Sequence, residues 1–275
     1  MKLQYLGTAA AEGVPALFCE CEVCRKSRAA GGRNIRTRSQ AIIDGKILID
    51  FPADTYMHSL LHGIDLAKIH TCIITHKHSD HLYVPDFEFR FPGFSHIPEE
   101  PLTVYGTYPT YKAVIDLILG VKAENSSYIA AKRISEFEAF DAEGYTFIPL
   151  KAAHDPNCDP VFYIIRSGEK TMLYANDTGW FPEETWEWLE KNPMHFNLVS
   201  LDCTMAPEGG YWGHMGIREC AKVRERLTKL NMTDEKTSYI LHHFSHNAGF
   251  TYDEFVSLAG KEGFAVSYDG MTVEF

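Results

Sequence analysis

Short apolar runs ended by Gly, Pro, Asp or His recur along this chain, and stretches with helical spacing lie between them. Met1–Gly7 reads as a first strand, and the apolar runs on either side of Asp44-Gly45 predict a hairpin over 40–50. Further strands are expected at Thr71–Thr75, Leu102–Tyr105, Tyr145–Ala152, Val161–Ile165, Met172–Ala175, Leu198–Leu201 and Ser238–Leu241, with a strand pair around Asp269-Gly270. Helices are predicted for Thr55–His62, Tyr111–Leu119, Glu183–Glu190 behind Pro182, Ile217–Leu230 and Tyr252–Lys261. Strands and helices alternate with no linker, repeat or compositional break, which predicts one α/β domain of packed layers over 1–275. Phe91–Phe140 is the least regular part and is expected to be a variable insert, usable as a lid or as the contact of a homodimer.

Four of the six residues His76-Lys77-His78-Ser79-Asp80-His81 can bind a metal, and they directly follow the run Cys72-Ile73-Ile74-Thr75. Three imidazoles and a carboxylate on so short a loop point to two ions side by side. These donors suit Zn(II), Mn(II) or Fe(II), and pairs of such ions about 3.5–4 Å apart hydrolyse phosphate esters. Completing two shells needs ligands from other strand ends, the usual place for active sites in α/β folds. His154, Asp177 and His243 each follow such a run. One ion would take His76, His78 and His154; the other would take Asp80, His81 and His243; Asp177 would bridge them. A water held between the ions would be the nucleophile. The catalytic residues are then Asp80, as a ligand, and His214, a proton donor for the leaving alkoxide in Tyr211-Trp-Gly-His214. Lys77 and Arg90 are the basic residues near enough in sequence to steady a second phosphate.

A formal net charge of −11 disfavours nucleic acid as a partner, although bound cations can reverse the field locally for a small anionic phosphate ester. No run reaches the roughly 18 apolar residues of a membrane span. The first residues turn polar too early for a signal peptide, so a cytoplasmic location is expected. Cys19, Cys21 and Cys24 crowd together, and the count of seven is odd, which suggests metal rather than disulfides. Structural zinc takes four ligands, and His246, three residues beyond His243, is the expected fourth. Cys72 and Cys203 lie in or beside strands and read as core thiols.

The motif His-x-His-x-Asp-His at His76, His78, Asp80 and His81 resembles that of the metallo-β-lactamase superfamily. The resemblance implies a four-layer αβ/βα sandwich with a two-metal site at one edge. Within the superfamily the chain is most similar to the phosphoribosyl 1,2-cyclic phosphate phosphodiesterases of the carbon–phosphorus lyase pathway. The residues that carry this are Gly7-Thr8, Glu12-Gly13-Val14-Pro15-Ala16, Cys19-x-Cys21-x-x-Cys24, Asp177-Thr178, His243-x-x-His246 and Asp269-Gly270-Met271. It implies two Mn or Zn ions in the active site, structural zinc on Cys19, Cys21, Cys24 and His246, and a general acid at His214. Phe51-Pro52 departs from the Ala-Gly that many members carry after the equivalent of Asp50. The alternatives are tRNA 3′-end processing, thioester or lactone hydrolysis, and a non-hydrolytic protein of cofactor biosynthesis with the same fold.

Overall fold

The computed structural model describes residues 1–275 apart from 98, 99, 208 and 210–212. In chain order the first half holds β1 (Lys2–Gly7), α1 (Glu22–Ala30), β2 (Gln40–Ile43), β3 (Ile47–Ile49), α2 (Thr55–His62), β4 (Thr71–Ile73), β5 (Leu102–Gly106), α3 (Tyr108–Gly120) and β6 (Ile129–Arg133). The second half holds β7 (Phe140–Ala142), β8 (Tyr145–Lys151), β9 (Val161–Ser167), β10 (Lys170–Ala175), α4 (Glu183–Lys191), β11 (Leu198–Asp202), α5 (Ile217–Lys229), β12 (Ser238–His242), α6 (Tyr252–Lys261), β13 (Ala265–Val266) and β14 (Thr272–Glu274).

The strands form two sheets, ordered β14-β1-β2-β3-β4-β5-β6 and β13-β12-β11-β10-β9-β8-β7. Alternation along each strand sets the layers. In β3, Ile47 and Ile49 enter the core shared by both sheets, with Ile73, Phe147, Tyr163 and Tyr174, whereas Leu48 faces the opposite side. Leu48, Cys72 and Val104 there meet Val114 of α3. On the far side of the second sheet, Leu173, Val199 and Leu241 meet Trp186 of α4, Val223 of α5 and Phe255 of α6. Helix, sheet, sheet, helix is the expected four-layer sandwich. Burying each such Val, Ile, Leu or Phe contributes about 1.5–3 kcal/mol.

Both sheets change from antiparallel to parallel pairing part-way across. β3 to β6 are mutually parallel, and so are β10 to β13. Within each parallel block the strand ends fall at one sheet edge. Asp50 and His76 follow β3 and β4 in the first sheet; Asp177, Asp202 and His243 follow or end β10, β11 and β12 in the second.

Three expectations change. The strands around Asp269-Gly270 do not pair with each other: β13 joins β12 in one sheet and β14 joins β1 in the other. Segment 91–140 holds β5 and α3 near the expected strand and helix and adds β6, which pairs with β5 at the sheet edge. α1 has no counterpart in the sequence reading; the Cys21 side chain caps it by accepting from the Cys24 amide. Among the described residues no helix is long and apolar enough to cross a membrane.

Candidate metal centre

The turns after the strands aim the site. Asp50, Asp177 and His243 all have left-handed backbone, with φ of 66°, 50° and 63°. Each such residue costs roughly 1–2 kcal/mol, and Asp and Asn tolerate it best. Strain of this kind persists where the surrounding structure over-determines it, and it clusters at functional sites. Here it turns the chain sharply at the sheet edge.

His76, His78 and His154 converge. His76 Nε2 and His154 Nε2 lie 2.9 and 3.2 Å from His78 Nδ1. The far nitrogens have partners: Thr75 Oγ1 is 3.1 Å from His76 Nδ1, and the Gly213 carbonyl accepts from His154 Nδ1 at 3.2 Å. Gly213 has φ of 93°, and a Cβ there would stand 3.2 Å from His154 Nδ1, so the site needs glycine. His78 Nε2 faces Asp155 Oδ2 at 3.3 Å.

Asp80, His81, Asp177 and His243 form the second group. His81 Nε2 stands 3.2 Å from Asp80 Oδ2 and 2.5 Å from Asp177 Oδ2. Asp177 Oδ2 is also 3.5 Å from His76 Nε2, which puts this carboxylate between the two groups. Hydrogen bonds fix the tautomers. His81 Nδ1–H donates to Asp50 Oδ2 at 2.7 Å. Thr204 Oγ1 donates to the His243 carbonyl and so accepts from His243 Nδ1 at 2.8 Å. With Nδ1 engaged on both rings, Nε2 is the atom each can offer to a cation.

Those two nitrogens and Asp177 Oδ1 are buried with no hydrogen-bond partner among the described residues. Buried polar atoms are rarely orphaned. A cation bound by these groups would supply the missing partners, so the residues fit bound metal ions. The acid–base balance reports the same need. Burial favours neutral His81, yet Asp177, Asp80 and Asp50 outweigh it and hold the imidazolium well above its usual range. A proton there does the work of a cation. Burial and the neighbouring His81 push His76 well down. Asp177 is raised by burial but is held well below the usual carboxylate range by His243, His81 and His76.

His214 stands beside this centre, its ring 5.0 Å from His154 and 5.6 Å from His243. Its Nδ1–H donates to Asp202 Oδ2 at 2.8 Å. Asp202 is fully buried, and its Oδ1 accepts from the Thr204 and Met215 amides at 3.0 and 3.2 Å. Burial lowers the imidazole's pKa, but Asp202 and then Asp177 push it up to about 9. Nε2 has no hydrogen-bond partner among the described residues. Tyr211 and Trp212, which precede His214 in its motif, lie outside the described residues.

The sequence reading named neither Asp202 nor Thr204, and it saw Asp50 only as a strand end. Arg90 does not reach toward a phosphate: its guanidinium donates to the Tyr128 and Glu100 carbonyls at 3.1 and 3.0 Å.

Cys19, Cys21, Cys24 and His246 also come together. His246 Nδ1 lies 3.6 and 3.4 Å from the Cys19 and Cys21 Sγ atoms, and its Nε2 faces Glu12 Oε1 at 3.6 Å. A carboxylate behind a ligating histidine is the usual second support of such sites. The Cys24 amide and His246 pull the Cys21 thiol down to about 6. Three sulfurs and one nitrogen fit tetrahedral zinc. Cys72 and Cys203 are buried core thiols.

Residues 46–244 match the Beta-lactamase superfamily domain. Among solved structures, a diphosphatase from the PhnP family superposes with a TM-score of 0.72 at 23% identity, covering 100% of this chain and 97% of that one. Zn(2+)-bound PqqB from Methylobacterium extorquens gives 0.74 at 20% identity, with 100% of both chains covered. Human tRNase Z, short form, gives 0.68 at 14%, covering 100% of this chain and 99% of that one. An octanoyltransferase of Porphyromonas gingivalis is 36% identical over 84 residues, 30% of this chain; the chain spans 16% of that relative's length.

Proposed function

We infer, from the premise that this chain belongs to the beta-lactamase superfamily, that it is a metal-dependent phosphodiesterase acting on a small cyclic phosphate ester. His76, His78 and His154 would hold one ion, Asp80, His81 and His243 the other, and Asp177 both. When bound, such a pair supplies a deprotonated water near neutral pH and neutralises charge on phosphoryl oxygens. Asp50 and Thr204 engage Nδ1 of His81 and His243, which would leave both Nε2 atoms to hold the ions. Cys19, Cys21, Cys24 and His246 would carry structural zinc, and the nitrogen and oxygen donors of the catalytic pair suit Mn(II) or Zn(II).

The observation that carries the reading is the Asp202–His214 pair beside the centre. An alkoxide leaving phosphorus must be protonated, whereas a thiolate leaving a thioester need not be. Asp202 fixes His214 Nδ1–H and frees Nε2 to hand its proton to the leaving oxygen. Similarity to a diphosphatase of the PhnP family adds support, and the net charge of −11 weighs against precursor tRNA.

The test is turnover of bis-p-nitrophenyl phosphate, 2′,3′-cyclic nucleotides and phosphoribosyl 1,2-cyclic phosphate with Mn(II) or Zn(II), beside thioester, lactone and precursor-tRNA panels. Cyclic phosphates are expected to give the highest kcat/KM. No phosphodiester turnover with either metal, or faster thioester cleavage, would overturn the reading.

A further inference from the structure

One group of metal-ligating side chains extends beyond the reaction above and shares only His78 with it. His78, Asp155 and Cys158 offer a nitrogen, an oxygen and a sulfur within 4.8 Å of one another. His78 takes part in the catalytic group through Nδ1, and its Nε2 points the other way, 3.3 Å from Asp155 Oδ2. Cys158 Sγ is 3.6 Å from the same oxygen. Around tetrahedral zinc, with bonds of about 2.0–2.3 Å, neighbouring N, O and S ligands stand roughly 3.3–3.6 Å apart. The cysteine cluster shows the same spacing, 3.4–3.6 Å between His246 Nδ1 and two sulfurs.

The local fold holds the donors in place. Pro156–Cys158 is a single turn of 3-10 helix capped by Asp155. Asp155 Oδ1 accepts from the Asn157 amide and side chain at 3.0 and 2.9 Å, which leaves Oδ2 for other partners. Cys158 is buried, whereas the His78 and Asp155 side chains are about a third exposed, at 36% and 33%. An ion can therefore enter from solvent and keep a water as its fourth ligand. Asp159 adds negative charge near the thiol and Lys77 opposes it.

We propose that His78 Nε2, Asp155 Oδ2 and Cys158 Sγ form a third site, for a soft divalent cation such as Zn(II) or Cd(II), and that its occupancy competes with the catalytic pair for His78. A thiolate ligand selects Zn(II) and Cd(II) over Mn(II) and Mg(II). Binding displaces the Cys158 thiol proton to solvent, and the proton of neutral His78 passes from Nε2 to Nδ1, so Nδ1 is no longer a lone pair for the catalytic pair; no redox step is involved. The result is a sensor of excess zinc built on the edge of the active site. The competition rests on His78 serving the catalytic pair; the existence of the site does not.

The experiment compares the full-length Mn(II)-loaded chain with its Cys158→Ser variant. Cd(II) is added, bound metal is counted by mass spectrometry, and the ultraviolet thiolate-to-metal absorption is followed. The wild type is expected to take up one more Cd(II) than the variant, with a larger thiolate band. Excess Zn(II) is expected to inhibit hydrolysis of bis-p-nitrophenyl phosphate several-fold in the wild type and not in the variant. Equal metal counts and equal bands overturn the site. An extra Cd(II) with no difference in zinc inhibition overturns the competition for His78. If neither chain hydrolyses a phosphodiester, the proposed function fails while the Cd(II) count still decides the site. Cys158→Ala, which keeps that buried position apolar, replaces the serine variant if serine lowers the melting temperature.

Discussion

His243 and His246 stand three residues apart, yet they belong to clusters built on opposite plans. The centre around His243 draws its donors from the ends of β4, β8, β10 and β12, in both sheets, with left-handed turns at Asp50, Asp177 and His243. It keeps three buried polar atoms without partners. The cluster around His246 draws three of its four donors from one short segment, the loop before α1 and that helix's first turn, and its sulfurs already accept from backbone amides of Ala16, Cys21 and Cys24. On the proposed reading the first arrangement would gain its missing partners from cations, and its nitrogen and oxygen donors would leave positions open for substrate. The second is closed and local. The proposed function assigns reactivity to the first cluster and cohesion to the second.

The widest break in that contrast comes from Asp177→Asn. Asn tolerates the left-handed backbone, so the change removes charge and leaves the turn intact. Activity is expected to fall to background, with loss of at least one of the two catalytic ions by metal analysis. A decline of only the about 10–100-fold typical of a supporting residue would show that Asp177 does not join the two groups.

His214→Ala should come next. Loss of a general acid lowers kcat by about 10²–10⁴-fold for an alkyl leaving group. For p-nitrophenolate, which leaves without a proton, the loss should be much smaller. Equal losses on both substrates would remove His214 from the proton-transfer role.

Asp50→Asn weakens the hydrogen bond that fixes His81. Catalytic-metal affinity, measured by chelator competition, is expected to fall by about 10–100-fold, with His246-bound zinc unchanged. An unchanged affinity would mean that packing alone orients His81.

The same contrast governs what could be read from residues alone. Apolar runs ending in His or Asp gave the strand-end donors, because a buried strand followed by a ligand is a one-dimensional pattern. The three cysteines were legible for the same reason of sequence proximity. Asp202 carries the same pattern, at the end of the expected strand Leu198–Leu201, but its role shows only in its bond to His214. Thr204 and Asp155 follow no such run, and their partners His243 and His78 lie far along the chain. Among elements, α1 buries only Val23, Cys24 and Ser27, too few apolar positions to announce a helix. β6 carries Ala130, Ala131, Lys132 and Arg133 at a sheet edge, and β7 is three residues long. The turn at Asp269-Gly270 resembled a hairpin because local chemistry cannot tell a hairpin from a crossing between sheets. Asp269 is in fact occupied by Thr8 and Thr37, which accounts for a carboxylate at that turn.

The smallest effect on rate is expected from His246→Ala, and it is the sharpest test of the division of labour. The N-terminal loop also reaches the segment after β12 through backbone hydrogen bonds, independently of the proposed zinc. Phe244 donates its amide to the Thr8 carbonyl at 2.9 Å, and the Ala10 amide returns a bond to the Phe244 carbonyl at 2.9 Å. His243 is also fixed from the other side by Thr204, and β12 lies between β11 and β13 within its sheet. Losing the fourth zinc ligand should therefore release the cysteine loop without moving His243 Nε2. Metal analysis should show one zinc fewer, and the melting temperature should fall by several degrees, since a domain of this size shifts by about 2–4 °C per kcal/mol. Well below that transition, kcat should stay within about threefold of the wild type, far from the 10²-fold or more expected on losing the general acid. A collapse of kcat with both catalytic ions still bound would mean that the closed cluster positions His243, and that the two plans are one mechanism.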